Sequence, residues 1–474
     1  MKKLVIISCF LVSIVWSQEH TQRYFPPTDS LVINQLDKWQ GFKFGLMMHW
    51  GTYAQLGVVE SWSICPEDED WCVRRGPYKN NYFAYVKAYE ALQQTFNPIQ
   101  FQPDKWASAA KYAGMKYLVF TTKHHDGFCM FDTKETDYKI TSPNTPFASN
   151  TNANITKVLF EAFRKEGFSV GAYFSKPDWH CADYWDPTFP PVDRNPNYSL
   201  TKYPEKWNKY VDFTHKQILE LMRDYGKVDL LWLDGGWVQP MTETSPRWGY
   251  KPVHQDIFMD SLVQQVRLLQ PGLIVVDRAV EGPNQNYLTP EQQIPNEPLP
   301  YPWESCMTMA NSWSYVPNDT YKSTKQLITN LCMIVSRGGN YLLNIAPNAA
   351  GEWDTIAYQR LKEIGDWMQI NGQAIYNTHP VFPYEQVNEY GKWVFTENDN
   401  KEVFACFIPT GLFERVEITL QLKDFKSTTF SSVELLQGKS IQPATEHLLR
   451  KINQLNFTIQ NQELPIVWKL TQLL

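Results

Sequence analysis

The sequence predicts an α/β fold: a (β/α)8-like TIM barrel over residues 30–372, then a C-terminal antiparallel β-sandwich over residues 373–474. Three observations carry this expectation. Short apolar runs alternate with amphipathic helical patterns from about residue 40 to 370. Several of those runs end in polar or charged side chains. Beyond about residue 374 the helical period disappears.

The strand candidates are Phe42–His49, Tyr117–Thr122, Val170–Ser175, Asp229–Asp234, Leu273–Arg278, Cys306–Ala310 and Tyr341–Ala346. Between them, residues 155–166 put Ile155, Val158, Leu159, Ala162 and Phe163 on one helical face, and Gly167 ends the pattern. Residues 207–225 and 324–336 repeat this, stopped by Gly226 and by Gly338-Gly339. Repeated β-α units on this scale imply a parallel sheet. The strand ends carry His49, His124, Ser175, Asp234, Arg278 and Asn344, and in a barrel that end is where active sites lie. A doubly wound open sheet is the rival, but no Gly-rich phosphate loop follows the first strand. The C-terminal segments "KWVFTENDNKEVFACFIP", "RVEITLQL" and "PIVWKL" read as short alternating strands. A Pro-, Asp- and Tyr-rich loop over residues 177–206 is long enough to cover a barrel mouth.

Bulk composition narrows the function classes. A chain of 474 residues, 43% hydrophobic, has material for two folded units. Its 18 tryptophans suit either a large core or a cleft for ligands with flat apolar faces, sugars among them. A net charge of −6 and no basic stripe give no nucleic-acid footprint and no membrane-surface patch. At the N-terminus, Lys2 and Lys3, a short apolar core and small Ser17 read as a signal peptide over residues 1–17. That apolar stretch is too short to span a bilayer, so the expectation is an exported protein, periplasmic or extracellular. The remaining seven cysteines are sparse and include no CxxC pair, which argues against a disulfide scaffold or a structural zinc site. Cys65 and Cys72 are near enough in sequence to pair or to stay free.

Candidate chemistry gathers at the strand ends. In "KHHDGF" (123–128), adjacent His124 and His125 on extended backbone should point to opposite faces, and so should not readily share one metal. In "GLMMHWG" (45–51) His49 falls at the end of the first strand; one such histidine is more often structural, but three at two strand ends form a joint pattern. Asp234 closes "LLWLDGGW" (230–237). An Asx turn would explain it, since Asp-Gly is a common turn pair. A carboxylate shown at a barrel mouth explains it too, with Gly235-Gly236 leaving room for a ligand and Arg278 holding the aspartate ionised. Glycoside hydrolysis needs a second carboxylate. Glu281, Glu291, Glu297 and Glu304 all qualify, and spacing does not choose among them.

Taken in order, "FGLMMHWG", "KHHDGF", "LLWLDGGW", "VVDR", "NYLTPEQ" and "PWESCMT…SWSY" resemble the α-L-fucosidases of glycoside hydrolase family 29, over residues 36 to 350. The "WLDGGW" form is closer to the family's broad-specificity branch. The resemblance implies a (β/α)8-like barrel with a C-terminal β-sandwich and a retaining exo-fucosidase activity on fucosylated glycans. It implies Asp234 as nucleophile and Glu291 as general acid/base, with no metal and no cofactor. Its sugar-binding positions match His49, His124, His125, Tyr173, Trp232, Arg278 and Trp313, with Trp71 from the loop "EDEDWCVRRGP". Asp70 stands before that tryptophan where the family often has Glu. A 6-deoxy sugar asks for an apolar wall at its methyl group, which Trp232 or Trp313 could supply, and for hydroxyl partners. The alternatives are the same barrel acting on another 6-deoxy or fucose-like glycoside, and an inactive carbohydrate-binding protein. Homo-oligomerisation stays open.

Overall fold

Seven short runs whose side chains are buried on both faces build one parallel sheet in the computed structural model, which describes residues 23–67, 72–241, 253–425, 430–436, 453–460 and 463–472. The strands are β1 (Phe44–Met48), β2 (Tyr117–Lys123), β3 (Ser169–Ser175), β4 (Leu230–Asp234), β5 (Ile274–Asp277), β6 (Glu304–Thr308) and β7 (Asn340–Asn344). Each expected strand is present, shifted by at most a few residues. Their order is β5-β4-β3-β2-β1-β7-β6. Registers such as Tyr173 beside Trp232 and Ser175 beside Asp234 bring the polar ends to one rim.

The expected eighth strand is replaced by an irregular segment. Between β5 and β6, Asn286 N–H donates to the Val275 carbonyl at 2.9 Å, while Leu288 N–H donates to Pro302 at 3.0 Å and Gln292 N–H to Cys306 at 3.0 Å. Residues 285–292 thus bridge to both edge strands. Pro290 lies in this stretch, and a proline cannot donate to a ladder. No apolar alternation marks it in the sequence for that reason.

Two cores flank the sheet. Inside the barrel, Met47, Tyr117, Val119, Tyr173, Leu230, Trp232, Ile274, Val276, Tyr287, Cys306 and Leu342 pack together. Helix α1 (Ser30–Phe42) joins this core through Leu36 and Trp39. The Trp39 ring stacks on Tyr287 at 4.0 Å, closing the end opposite the polar rim. Outside lie α2 (Tyr82–Glu90), α3 (Pro103–Tyr112), α4 (Ile155–Lys165), α5 (Pro204–Asp224), α6 (Met259–Leu269), α7 (Thr324–Ser336) and α8 (Thr355–Asn371). Helix α4 shows why the pattern worked: Asn154 caps it by accepting from Lys157 N–H, and Ile155, Leu159 and Phe163 are buried. Each such side chain contributes roughly 1.5–3 kcal/mol on burial.

The remaining strands are antiparallel: β8 (Thr378–Asn388), β9 (Gly391–Asn398), β10 (Glu402–Pro409), β11 (Val416–Gln421), β12 (Phe430–Leu435), β13 (Gln454–Ile459) and β14 (Ile466–Gln472). A five-stranded sheet, β12-β14-β10-β9-β8, and a two-stranded sheet, β11-β13, share the core of Trp393, Phe395, Phe407, Ile418 and Leu420. The opposite face of the larger sheet, with Val394, Phe404 and Cys406, packs against the barrel's outer core at Cys332 and Trp367. Cys65 and Cys72 are not bridged.

Candidate active site

Strand β4 alternates as a two-residue period requires. Leu231 and Leu233 join the outer core, whereas Trp232 faces the barrel interior and Asp234 the rim above it. Tyr173, next door on β3, donates its hydroxyl to Asp234 Oδ2 at 2.6 Å. Arg278, one residue past β5, donates through Nη1 to Asp234 Oδ1 at 3.0 Å and pairs through Nη2 with Glu291 Oε2. One guanidinium therefore carries both carboxylates on neighbouring nitrogens. Burial opposes ionisation of Asp234, but Arg278, His125, the Tyr173 hydrogen bond and His124 outweigh it and hold the carboxyl far below its usual range.

The three histidines converge on the same cavity, which measures about 850 Å³. His49 directs Nδ1 at Asn344 Oδ1, 2.8 Å away, and Asn344 is itself anchored by donating to the Trp313 carbonyl at 2.6 Å. That partner assigns the His49 proton to Nδ1 and leaves Nε2 as an acceptor. His124 Nδ1 lies 2.5 Å from Ser61 Oγ. His125 Nε2 lies 3.8 Å from Asp234 Oδ2. Burial pushes His49 down to about 4 and His125 to about 3.

The expectation that His124 and His125 face opposite ways is corrected. Strand β2 ends at Lys123, so both histidines lie past the extended backbone, and their ring centroids are 4.2 Å apart. With Asp234 they bring ligand atoms within 4.8 Å of one another, the one group among the described residues with the spacing to hold a metal ion.

Of the four glutamate candidates the fold brings only Glu291 to the cavity. Glu281 and Glu297 are exposed on the 278–303 connection. Glu304 opens β6, wholly buried inside the barrel. Trp232 and Trp313 line the cavity with Met47 and Cys306. Trp71 and Asp70 lie outside the described residues.

The glycines after Asp234 allow close packing, and Gly236 also lines the cavity. Gly235 has φ +89°, and a Cβ there would sit 2.3 Å from Pro177 Cδ. A Cβ on Gly236 would lie 2.9 Å from both Ala279 Cβ and the Arg278 carbonyl. Bare backbone here lets the end of β4 close against the Arg278 turn.

Sequence reasoning missed Glu60, Trp62, Arg194 and Trp237, all of which line the cavity. Trp62 stands edge-on to His125 at 5.2 Å, and Trp237 does the same. The Arg194 guanidinium, from the long 177–206 loop, sits 4.8 Å from the Trp62 ring centre and 5.2 Å from that of Trp237. Glu60 is buried, has φ +28°, and leaves Oε1 without a hydrogen-bond partner among the described residues. A non-glycine residue held there is strained, a condition found at functional sites. Burial, then the charges of Glu291 and Asp234, push its carboxyl well up despite the Ser314 contact. "ESW" soon after the first strand was the available signal for Trp62; nothing in the sequence reports a strained backbone.

A sequence profile described as Alpha-L-fucosidase matches residues 11–373. The chain belongs to the α-L-fucosidase family. Mouse tissue α-L-fucosidase is 28% identical, with 95% of each chain covered. Human plasma α-L-fucosidase is 27% identical over 82% of this chain and 80% of its own. Among solved structures, α-L-fucosidase isoenzyme 1 of Paenibacillus thiaminolyticus superposes with TM-score 0.72 at 30% identity, covering 94% of this chain and all of the other. The α-fucosidase of Thermotoga maritima gives TM-score 0.69 at 25% identity, over 95% and 100%. The family's barrel is the part that the profile spans, and every cavity residue named above falls within it.

Proposed function

We propose that the protein is a retaining exo-α-L-fucosidase that removes terminal α-L-fucosyl residues by double displacement. The observation that carries this is the single guanidinium of Arg278 holding Asp234 and Glu291 together in the wall of one cavity. Asp234, kept ionised, attacks the anomeric carbon. Glu291 gives a proton to the departing oxygen, and the C–O bond to the aglycone breaks as the bond to Asp234 Oδ forms. Glu291 then takes a proton from water, whose oxygen displaces Asp234. Glu291 has to part from Arg278 to carry that proton.

Around the sugar, neutral His49, His124 and His125 offer hydroxyl partners, and Trp232, Trp313 and Met47 offer an apolar wall for a C5 methyl. The Thermotoga relative, also solved with fucose and with a mechanism-based inhibitor, supports the same reading. The "WLDGGW" form supports the broad-specificity branch, and the lysine-led N-terminus supports export. Among the described residues no helix is long and apolar enough to cross a membrane.

The test is hydrolysis of 4-nitrophenyl α-L-fucoside followed by proton NMR of the first sugar released. The expected first product is α-L-fucose. A β-first product overturns retention, and fucose binding without release above background makes the protein a lectin on this barrel.

A further inference from the structure

Glu304 is a buried ionisable group for which the reaction above has no use. It opens β6 at 0% exposure in the barrel interior and does not line the cavity. Its partners are three uncharged donors. Tyr117 donates to Oε2 at 2.6 Å, and Trp232 Nε1 and Tyr287 donate to Oε1 at 3.2 and 3.3 Å. No lysine, arginine or histidine pairs with it among the described residues. Burial pushes the carboxyl up to about 7, with the three hydrogen bonds pulling the other way. A carboxyl without a cation in the middle of a barrel is an expensive way to fill space that an apolar side chain would fill more cheaply.

What it holds is the indole of Trp232. The Tyr173 ring stacks on that indole, with centroids 5.2 Å apart and planes 18° apart. The Arg278 guanidinium stands 5.4 Å from the same ring centre. Tyr173 and Arg278 are the two groups that grip the Asp234 carboxylate, one oxygen each. A chain of contacts runs from Glu304 through one indole to both oxygens of Asp234.

We propose that Glu304 is a positioning residue: by fixing the Trp232 indole N–H it sets Tyr173 and Arg278 in register on Asp234. The proposal rests on Asp234 being the nucleophile. Trp232 stands between Glu304 and the cavity, so Glu304 exchanges no proton with substrate.

Glu304→Leu removes the acceptors and fills the space; Glu304→Gln keeps one acceptor for the indole. With aryl α-L-fucosides, Glu304→Leu is expected to lower kcat by roughly 10–100-fold, in the range for leaving a buried indole N–H without its acceptor. Dinitrophenyl and nitrophenyl leaving groups should suffer equally, azide should bring no acceleration, and Glu304→Gln should recover activity to within about fivefold of the native protein. The Glu304→Leu/Trp232→Phe double variant should be no slower than the worse single variant, since both remove one contact. A loss under threefold, azide rescue, or additive losses would each overturn the proposal. Should Glu304→Leu not fold, Trp232→Phe alone reads the same contact, and an unchanged kcat there overturns it equally. Native protein inactive on these fucosides points instead to failure of the proposed function.

Discussion

The hydroxyl of Tyr173 donates to Oδ2 of Asp234 at 2.6 Å, across the β3–β4 ladder. With Arg278 on the other oxygen, both oxygens of the proposed nucleophile are held by neighbours, not by Asp234's own rotamer alone. Such a donor lowers nucleophilicity slightly and fixes direction strongly. Tyr173→Phe should therefore reduce kcat about 10–100-fold with little change in KM, the size expected for one lost hydrogen bond to a charged group made in the reacting geometry. Steady-state kinetics on 4-nitrophenyl α-L-fucoside check this; a KM effect alone would place Tyr173 in uniform sugar binding.

The two carboxylates should separate cleanly by rescue. Asp234→Gly is expected to abolish turnover, and azide should restore it with formation of β-fucosyl azide, the small anion entering from the vacated face. Glu291→Ala should lose about 10²–10⁴-fold on poor leaving groups, the usual value of a general acid, and be rescued to an α-configured product. Product NMR distinguishes the two, and the reversed pattern would exchange the roles.

Acid should spare the enzyme longer than three histidines in one cavity would suggest. An ordinary histidine charges as pH falls through 6.5. Here burial delays proton uptake to about 4 at His49 and about 3 at His125. Asp234 also stays ionised. The proposed mechanism uses neutral histidines and an ionised aspartate, so the acid limb of kcat/KM should fall below pH 5 and not near 6.5. A pH–rate profile on the free enzyme reads it directly.

Burial, then the nearby Glu291 and Asp234 charges, push the Glu60 carboxyl well above its usual range and favour its protonated form at the cavity. Glu60→Gln should then be nearly silent, because the amide keeps a donor and an acceptor of the same reach. Glu60→Ala should raise KM roughly 5- to 30-fold, equivalent to about 1–2 kcal/mol of lost hydrogen bonding. Equal damage from both variants would show that the charged form is the one in use.

Much of this protein could be read before any coordinates. The seven strands and helices α4, α5 and α7 were visible because burial on a strand or helix face imposes a 2- or 3.6-residue period on apolar residues. His49, Asp234 and Arg278 were visible because a polar residue closing such a run is conspicuous. The segment at 285–292 was not visible as a wall of the barrel, since it is held by hydrogen bonds to two edge strands that leave no period.

Glu291 shows the division most sharply. Sequence offered it as one of four equivalent glutamates until a family likeness favoured it; the fold buries Glu304, leaves Glu281 and Glu297 exposed, and pairs Glu291 with Arg278. The convergence of His124 with His125 and the strained Glu60 were likewise decided only in three dimensions. Periodicity is a local property that the chain writes along itself. Which charges end up on one guanidinium depends on strands far apart in sequence closing side by side, and only the closed barrel sets that.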